Sequence, residues 1–524
     1  MKIRNILLPF LVACYPISSL LAENIDWVQP ADAARSLLIT LIAAILLLLL
    51  ARLITKDWGK ASLMAALAIL IFFSYGHIYA IVRSLPNGIT ISRHRYLIPI
   101  WIAVFALLSF LILRYRGALD TLIGYLSIVA GIALVFPIYS IASYKLAPDP
   151  STATQSKPPI HLTVNDEVLP DIYYIILDAY AREDVLNTIF EYDNAPFITA
   201  LEERGFYIVP DARSNHAQTS LSLTSSLNME YVQALVPHAD PKSSNREPLW
   251  NLIHHSEVRK ALENAGYETV TFSTGFPGSD IQDSDYYFEP STTTIVPQFI
   301  SANAFEGLLL DTSAAKIVTD ASTLLPRFFP DFKYPYKIHQ ARILNILDTL
   351  PEIPDIESPT FAFAHVLAPH APFVFGAEGQ LLEPEQPYNL RFKLEGDDEE
   401  ELKQYIEGYS DQVTYLNARM LPIIDEILEG SETPPIIIIQ GDHGPAAESG
   451  KLSYVTERMR IFNAILVAPE VSEKLYADLT PVNTFRLLFN AYFDAGLQLL
   501  PDNSYYSEYQ TPYNFTDVTG SVDS

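Results

Sequence analysis

The chain has 524 residues, 34 basic and 61 acidic, for a formal net charge of −27, and it is too long for one ordinary domain. Residues 1–150 hold 12 of the basic and 6 of the acidic groups, so the rest of the chain carries a net −33. That balance excludes nucleic acid as a partner, because binding a phosphate backbone needs basic surface. With Cys14 as the only cysteine there is neither a disulfide framework nor a cysteine zinc site.

Five apolar segments fill the first 150 residues: about 5–22, 34–54, 61–82, 97–113 and 119–144. Each approaches the ~20 residues that cross a bilayer. The first also reads as a signal sequence, and its Leu11-Val-Ala-Cys14 loosely matches a lipoprotein cleavage box, a match common by chance. Lys2 and Arg4, then Arg52, Lys56 and Lys60, then Arg114 and Arg116 mark one side of the membrane as cytoplasmic. Arg83, Arg93 and Arg95 go against that pattern. With or without the first span, the last one leads outward, so the acidic remainder is expected outside the cytoplasm, on a plasma or inner membrane.

Residues 146–170, rich in Pro, Ser and Thr, read as a tether. Strand and helix patterns then alternate: strands at 171–177, 269–272, 360–367, 436–439 and 461–467, helices at 194–204, 246–265, 397–429 and 480–497. This implies a mostly parallel α/β sheet. The Tyr-, Asn- and Ser-rich stretch 502–524 is expected to be extended or disordered. The division is therefore membrane helices 1–145, linker 146–170, α/β domain 171–500 and tail 501–524.

The chemistry gathers where strands end. Four isoleucines, Ile436–Ile439, read as a strand buried on both faces, and Asp442-His443-Gly444 follows at its C-terminal end. Open α/β sheets place ligands there, and carboxylate plus imidazole are donors that most divalent cations accept. Asp178 closes the first strand of the domain in the same way, although taken alone such a residue reads first as a helix N-cap. Asn215-His-Ala-Gln-Thr219-Ser-Leu-Ser-Leu-Thr-Ser-Ser-Leu-Asn228 reads as a polar loop entering a helix, with Leu223 and Leu227 at helical spacing. The Thr219 hydroxyl there is either a cap or a nucleophile beside the positive helix end. Unaided it is too weakly acidic to attack, and a cation that lowers its pKa is one remedy.

In this order, with Ala368-Pro-His-Ala-Pro-Phe373 between them, these stretches resemble the alkaline phosphatase/sulfatase superfamily. The nearest likeness is to its membrane-anchored lipoteichoic-acid-synthase-like and phosphoethanolamine-transferase-like enzymes, which share the five-span layout. The resemblance covers about 171–500 and implies Thr219 as the phosphorylated nucleophile. It implies Asp178, Thr219, Asp442 and His443 as ligands of one divalent cation, Mn²⁺ or Mg²⁺ before Zn²⁺, and His370 as a substrate-phosphate or leaving-group residue. His365 reads as a core or supporting histidine before a partner of His370, and Asn215 and Gln218 as residues that shape the pocket.

Departures narrow the expectation. A formylglycine sulfatase needs Pro at +2 and Arg at +4 from its modified residue, and Thr219 is followed there by Leu221 and Leu223, Ser220 by Ser222 and Thr224. No histidine follows His443, where two-metal relatives take another ligand, and the lipoteichoic-type enzymes carry Glu where Asp178 stands. The expectation is a membrane-embedded phosphoester transferase or hydrolase working through phosphothreonine on phospholipid headgroup-type diesters. The rivals are a tethered phosphodiesterase, phosphatase or sulfatase-like hydrolase of soluble esters and a non-catalytic membrane scaffold. Tyr409 reads as helix packing and His254-His255 as a surface pair.

Overall fold

The computed structural model describes residues 4–25, 28, 30–83, 93–146, 160–164, 169–290, 304–317, 335–357, 359–382, 399–447 and 450–522. Most of the expected tether 146–170 lies outside them. The chain divides into two compact units.

The first unit holds α1 (Arg4–Glu23), α2 (Pro30–Thr55), α3 (Trp58–Arg83), α4 (His94–Arg114) and α5 (Asp120–Leu146). All five are long and apolar enough to cross a membrane, and they coincide with the five apolar segments of the sequence. Small residues such as Ala13, Ala44, Ala61 and Ala65 are buried between them, while Leu46, Leu53 and Phe136 face outward. That is the reverse of a water-soluble bundle and suits packing in lipid. A helix from far along the chain, Ala304–Thr312, belongs to this unit. Its Phe305 is buried among Ile17, Leu21 and Tyr144, and its Glu306 pairs with Arg35.

The second unit is built on a seven-stranded sheet of β1 (Ile172–Leu177), β2 (Tyr207–Ile208), β3 (Glu268–Phe272), β4 (Tyr286–Phe288), β5 (Thr360–Val366), β6 (Ile436–Gln440) and β7 (Asn463–Leu466), ordered β2-β7-β6-β1-β5-β3-β4. Strands β6, β1, β5, β3 and β4 run parallel, and β7 pairs antiparallel with both β6 and β2. The isoleucine run is buried on both faces: Ile437 and Ile439 enter one core, Ile436 and Ile438 the other. Each such burial stabilises by about 1.5–3 kcal/mol, which suits a strand at the middle of the sheet. β1 alternates in the same way, Tyr173, Ile175 and Leu177 against Ile172, Tyr174 and Ile176. It lies between β6 and β5, so its C-terminal end is the point where ligands of such sheets bind.

Helix expectations shift only in detail. The stretch 246–265 is two helices, Glu247–His254 and Glu257–Asn264, because Ser256 caps the second by accepting a hydrogen bond from the Arg259 N–H. The tail departs more. Residues 503–522 fold back over the loop before Thr219, carrying the short strands β8 (Tyr505–Tyr506) and β9 (Thr516–Asp517). The Tyr505 N–H donates to the Asn215 carbonyl at 2.9 Å, Ser504 Oγ to the Ser214 carbonyl at 2.7 Å, and Gln218 Nε2 to the Ser507 carbonyl at 3.0 Å.

Candidate active site

Three neighbouring parallel strands deliver the site. Asp442 and His443 follow β6, Asp178 follows β1, and His365 lies in β5, with His370 in the loop beyond it. Thr219 is the first residue of helix α6 (Thr219–Asn228), so its hydroxyl sits at the positive helix end rather than capping it; the cap position is Gln218. Leu223 and Leu227, one and two turns on, anchor α6 in the core under the sheet.

His443 orients the arrangement. Its Nδ1 lies 3.0 Å from the Gly444 carbonyl, which only accepts, so Nδ1 carries the proton and Nε2 offers a lone pair. Burial, and next the Arg458 charge, push this imidazole down to about 4, so it is neutral throughout the neutral pH range. Nε2 takes the Thr219 hydroxyl at 3.0 Å and stands 3.4 Å from Asp442 Oδ2 and 3.7 Å from Asp178 Oδ1. His365 approaches from the other side, with Nε2 3.5 Å from Asp178 Oδ2 and Nδ1 2.7 Å from Ser279 Oγ. The His370 ring lies 6.2 Å from that of His443, between centroids. Burial alone would raise the Asp178 carboxyl, but His370, His365 and His443 together outweigh it and hold it well below the usual carboxylate range.

Asp178, His365 and Asp442 offer ligand atoms that all lie within 4.8 Å of one another. Asp178 Oδ1, Asp442 Oδ2 and His365 Nε2 are buried without a hydrogen-bond partner. An unpaired buried polar atom costs about 1–3 kcal/mol, and three converging on one point, two of them anionic, fit a divalent cation. His365, expected from sequence as a core or supporting histidine, is thus within the cluster. Asn215 and Gln218 lie apart from it: Asn215 bonds Thr480 Oγ1, the Asn503 carbonyl and the Val482 N–H, and Gln218 bonds Ser507 and Arg246. Both fasten the loop.

Several residues that carried no sequence signal hold the site in place. Ala179 adopts a left-handed conformation (φ 64°), unusual for a residue with a Cβ. This turn points its N–H at Asp442 Oδ1, 3.0 Å away, and leaves Oδ2 for a ligand. The buried Tyr409 hydroxyl, on the long helix α8 (Glu399–Gly430), clamps the same turn by donating to the Ala179 carbonyl at 2.8 Å and accepting from the Ala181 N–H at 3.0 Å. Its role is therefore more than helix packing. Arg458 bonds the carbonyls of Gly444 and Ala217, each at 2.6 Å, and so ties the loop before Thr219 to the loop after His443. The glycines of the second loop are steric: a Cβ on Gly441 would meet the Tyr180 carbonyl oxygen at 2.3 Å.

Tyr409→Phe keeps the ring, which stacks on Phe190 at 4.2 Å, and removes the clamp. Losing a group that orients a metal ligand typically costs 10–100-fold in affinity. Competition with a chromophoric chelator is expected to show Mn²⁺ or Zn²⁺ affinity reduced by about that factor. Unchanged affinity would reduce Tyr409 to a packing residue.

The sulfatase family model matches residues 170–513, and the chain belongs to that family, within the alkaline phosphatase superfamily. No curated protein matches the chain significantly. Among solved structures, the C-terminal periplasmic domain of EptC from Escherichia coli aligns with 69% of this chain and 96% of its own at 12% identity and a TM-score of 0.41. The integral membrane lipooligosaccharide phosphoethanolamine transferase A from Neisseria meningitidis aligns over 98% of both chains at 11% identity and a TM-score of 0.39.

Proposed function

We propose that this chain is a membrane-anchored, metal-dependent phosphoester transferase or hydrolase that works through a phosphothreonine at Thr219. The observation that carries the reading is the convergence of Asp178, Asp442, His443 and the Thr219 hydroxyl from three separate stretches of a sulfatase-family domain. Asp178, Asp442, His443 and Thr219 Oγ1 would hold one divalent cation, with His365 as a further donor. Such a cation supplies positive charge that favours the alkoxide form of Thr219 and offsets charge on the nonbridging phosphate oxygens. With a second imidazole in the donor set, Mn²⁺ or Zn²⁺ suits it better than Mg²⁺, which prefers oxygen.

The residues then act in two steps. Thr219 Oγ1, its proton released to solvent, forms a bond to phosphorus while the bond from phosphorus to the departing alcohol breaks, and His370 gives that alcohol its proton. An acceptor alcohol or water next attacks the phosphothreonine and returns its proton to His370, while the bond from phosphorus to Thr219 Oγ1 breaks and a solvent proton restores the hydroxyl. The apolar helices and the charge bias of their loops favour an extracytoplasmic catalytic domain on a plasma or inner membrane and a phospholipid headgroup-type diester as substrate. The test is turnover of an aryl phosphodiester by the purified full chain. Activity abolished by chelator and restored by Mn²⁺ or Zn²⁺ is the expected outcome. Stimulation by an added acceptor alcohol would mark a transferase, and no cleavage with any divalent cation would refute the reading.

A further inference from the structure

Arg342 stands apart from the other described arginines of its unit. Arg182 pairs with Asp184, Arg204 with Asp425, Arg259 with Glu263 and Asp283, Arg419 with Asp348 and Arg460 with Asp184. Arg213, Arg246, Arg458 and Arg486 each donate to backbone carbonyls. Among the described residues, Arg342 makes neither a hydrogen bond nor an ion pair, although its guanidinium carries five donors and is only partly exposed.

Its place adjoins the site. The guanidinium lies against Gly275, a position with φ 78° that favours glycine by itself, and Nη1 would stand 2.0 Å from a Cβ there. Gly275 belongs to the loop after β3, and β3 runs parallel beside β5. This loop therefore opens on the same rim as Asp178. It also reaches the metal cluster directly, through the Ser279 hydroxyl on His365 and the Phe276 ring 6.2 Å from the His365 ring.

The carboxylate of the loop, Asp280, is already engaged. Its Oδ2 accepts the N–H groups of Gly275 and Thr274 at 2.8 and 3.2 Å, and its Oδ1 accepts Tyr287 Oη at 2.7 Å and Gln282 Nε2 at 3.1 Å. On the other side, Arg342 shares the helix α7 (Pro335–Thr349) with His339, three residues earlier. Burial, and next the Arg342 charge, push His339 down to about 3, so it adds no competing positive charge. A planar guanidinium that hydrogen-bonds to no acceptor among the described residues, on the rim of a phosphoester site, matches the geometry of a phosphate or carboxylate.

We propose that Arg342 forms an anion subsite beside the reaction centre, seating a second phosphate, phosphonate or carboxylate of the molecule whose phosphoester reacts. The assignment rests on the phosphoester reading above and adds to it a substrate class, doubly anionic rather than singly charged diesters.

Two arms test it on the full chain in detergent. In the first, two diesters share a nitrophenol leaving group, and their other arms end in an alkyl group or in a phosphonate. Arg342→Gln is expected to lower kcat/KM for the phosphonate diester by about tenfold or more, through KM, and to leave the alkyl diester within about twofold, with partial recovery in Arg342→Lys. The second arm needs no turnover: phenylglyoxal labelling of metal-free protein, mapped by peptide mass, is expected to modify Arg342 ahead of the ion-paired arginines, and inorganic phosphate to protect it. Equal loss on both diesters, or labelling of Arg342 that phosphate does not slow, would overturn the subsite. Cleavage of neither diester with phosphate protection intact would instead overturn the phosphoester reading and leave the subsite standing.

Discussion

Thr219→Ala is expected to lower turnover of an aryl phosphodiester by about 10³-fold or more, the usual scale for loss of an attacking group. Its hydroxyl is hydrogen-bonded to His443 Nε2, and it is the first residue of a ten-residue helix whose other residues are all buried. Alanine keeps the helix, so unfolding midpoint and circular dichroism should stay close to wild type while the rate collapses. Thr219→Ser separates chemistry from packing, since it retains the hydroxyl and is expected to keep measurable turnover. Comparable rates in wild type and Thr219→Ala would show that another group attacks phosphorus.

Asp442→Asn is the second large effect, and its sign differs between metal-free and metal-loaded protein. Asp442 and Asp178 are buried carboxylates that face the same point. Without a cation their charges repel, so neutralising one should leave the metal-free protein equally stable or slightly more so. Asparagine can still accept the Ala179 N–H through its amide oxygen. With a cation the same change removes a charged ligand, and affinity should fall by about 10²-fold or more. Wild type at 100 times its Kd gains about 2.7 kcal/mol from the cation, and the variant should lose most of that increment. Thermal unfolding with and without Mn²⁺ reads both signs. A metal-induced rise in Tm that survives in Asp442→Asn would mean the cation binds elsewhere.

The parts of the fold that were legible from residues alone are those with strong local signals. The five spans follow from length and lack of charge, and β1 and β6 from unbroken β-branched and aromatic runs. Asp178 and Asp442-His443 could be placed on one rim because parallel strands end on the same edge. What stayed hidden depends on partners distant in sequence. β2 and β4 span two and three residues, too few to show a period. The antiparallel course of β7 is set by what precedes it, not by its own residues. The segment 503–522 has no apolar period, yet its backbone finds acceptors on the loop before Thr219. The helix Ala304–Thr312 joins the membrane unit through Phe305 and Glu306, two residues that reveal nothing until Arg35 and the first span lie beside them.

The site divides along the same line. Residues with ligand chemistry announced themselves by type and position, whereas Tyr409, Arg458 and Ser214 act through hydroxyl and guanidinium groups that bond backbone carbonyls. Ser214 Oγ lies 2.6 Å from the Asp442 carbonyl, a contact that no spacing rule reveals. His365 was legible as a residue but not as a donor, because its Nε2 acquires meaning only when β5 is set beside β1.

The claim on which the rest depends is that Thr219 itself takes up the phosphoryl group. Intact-mass measurement and peptide mapping of the metal-loaded full chain, quenched during turnover, test it most directly. A mass increment equal to the transferred phosphoryl moiety, confined to the peptide holding Thr219 and absent from Thr219→Ala, is the predicted result. An unmodified Thr219 peptide under conditions where substrate is consumed, together with full activity in Thr219→Ala, would contradict it.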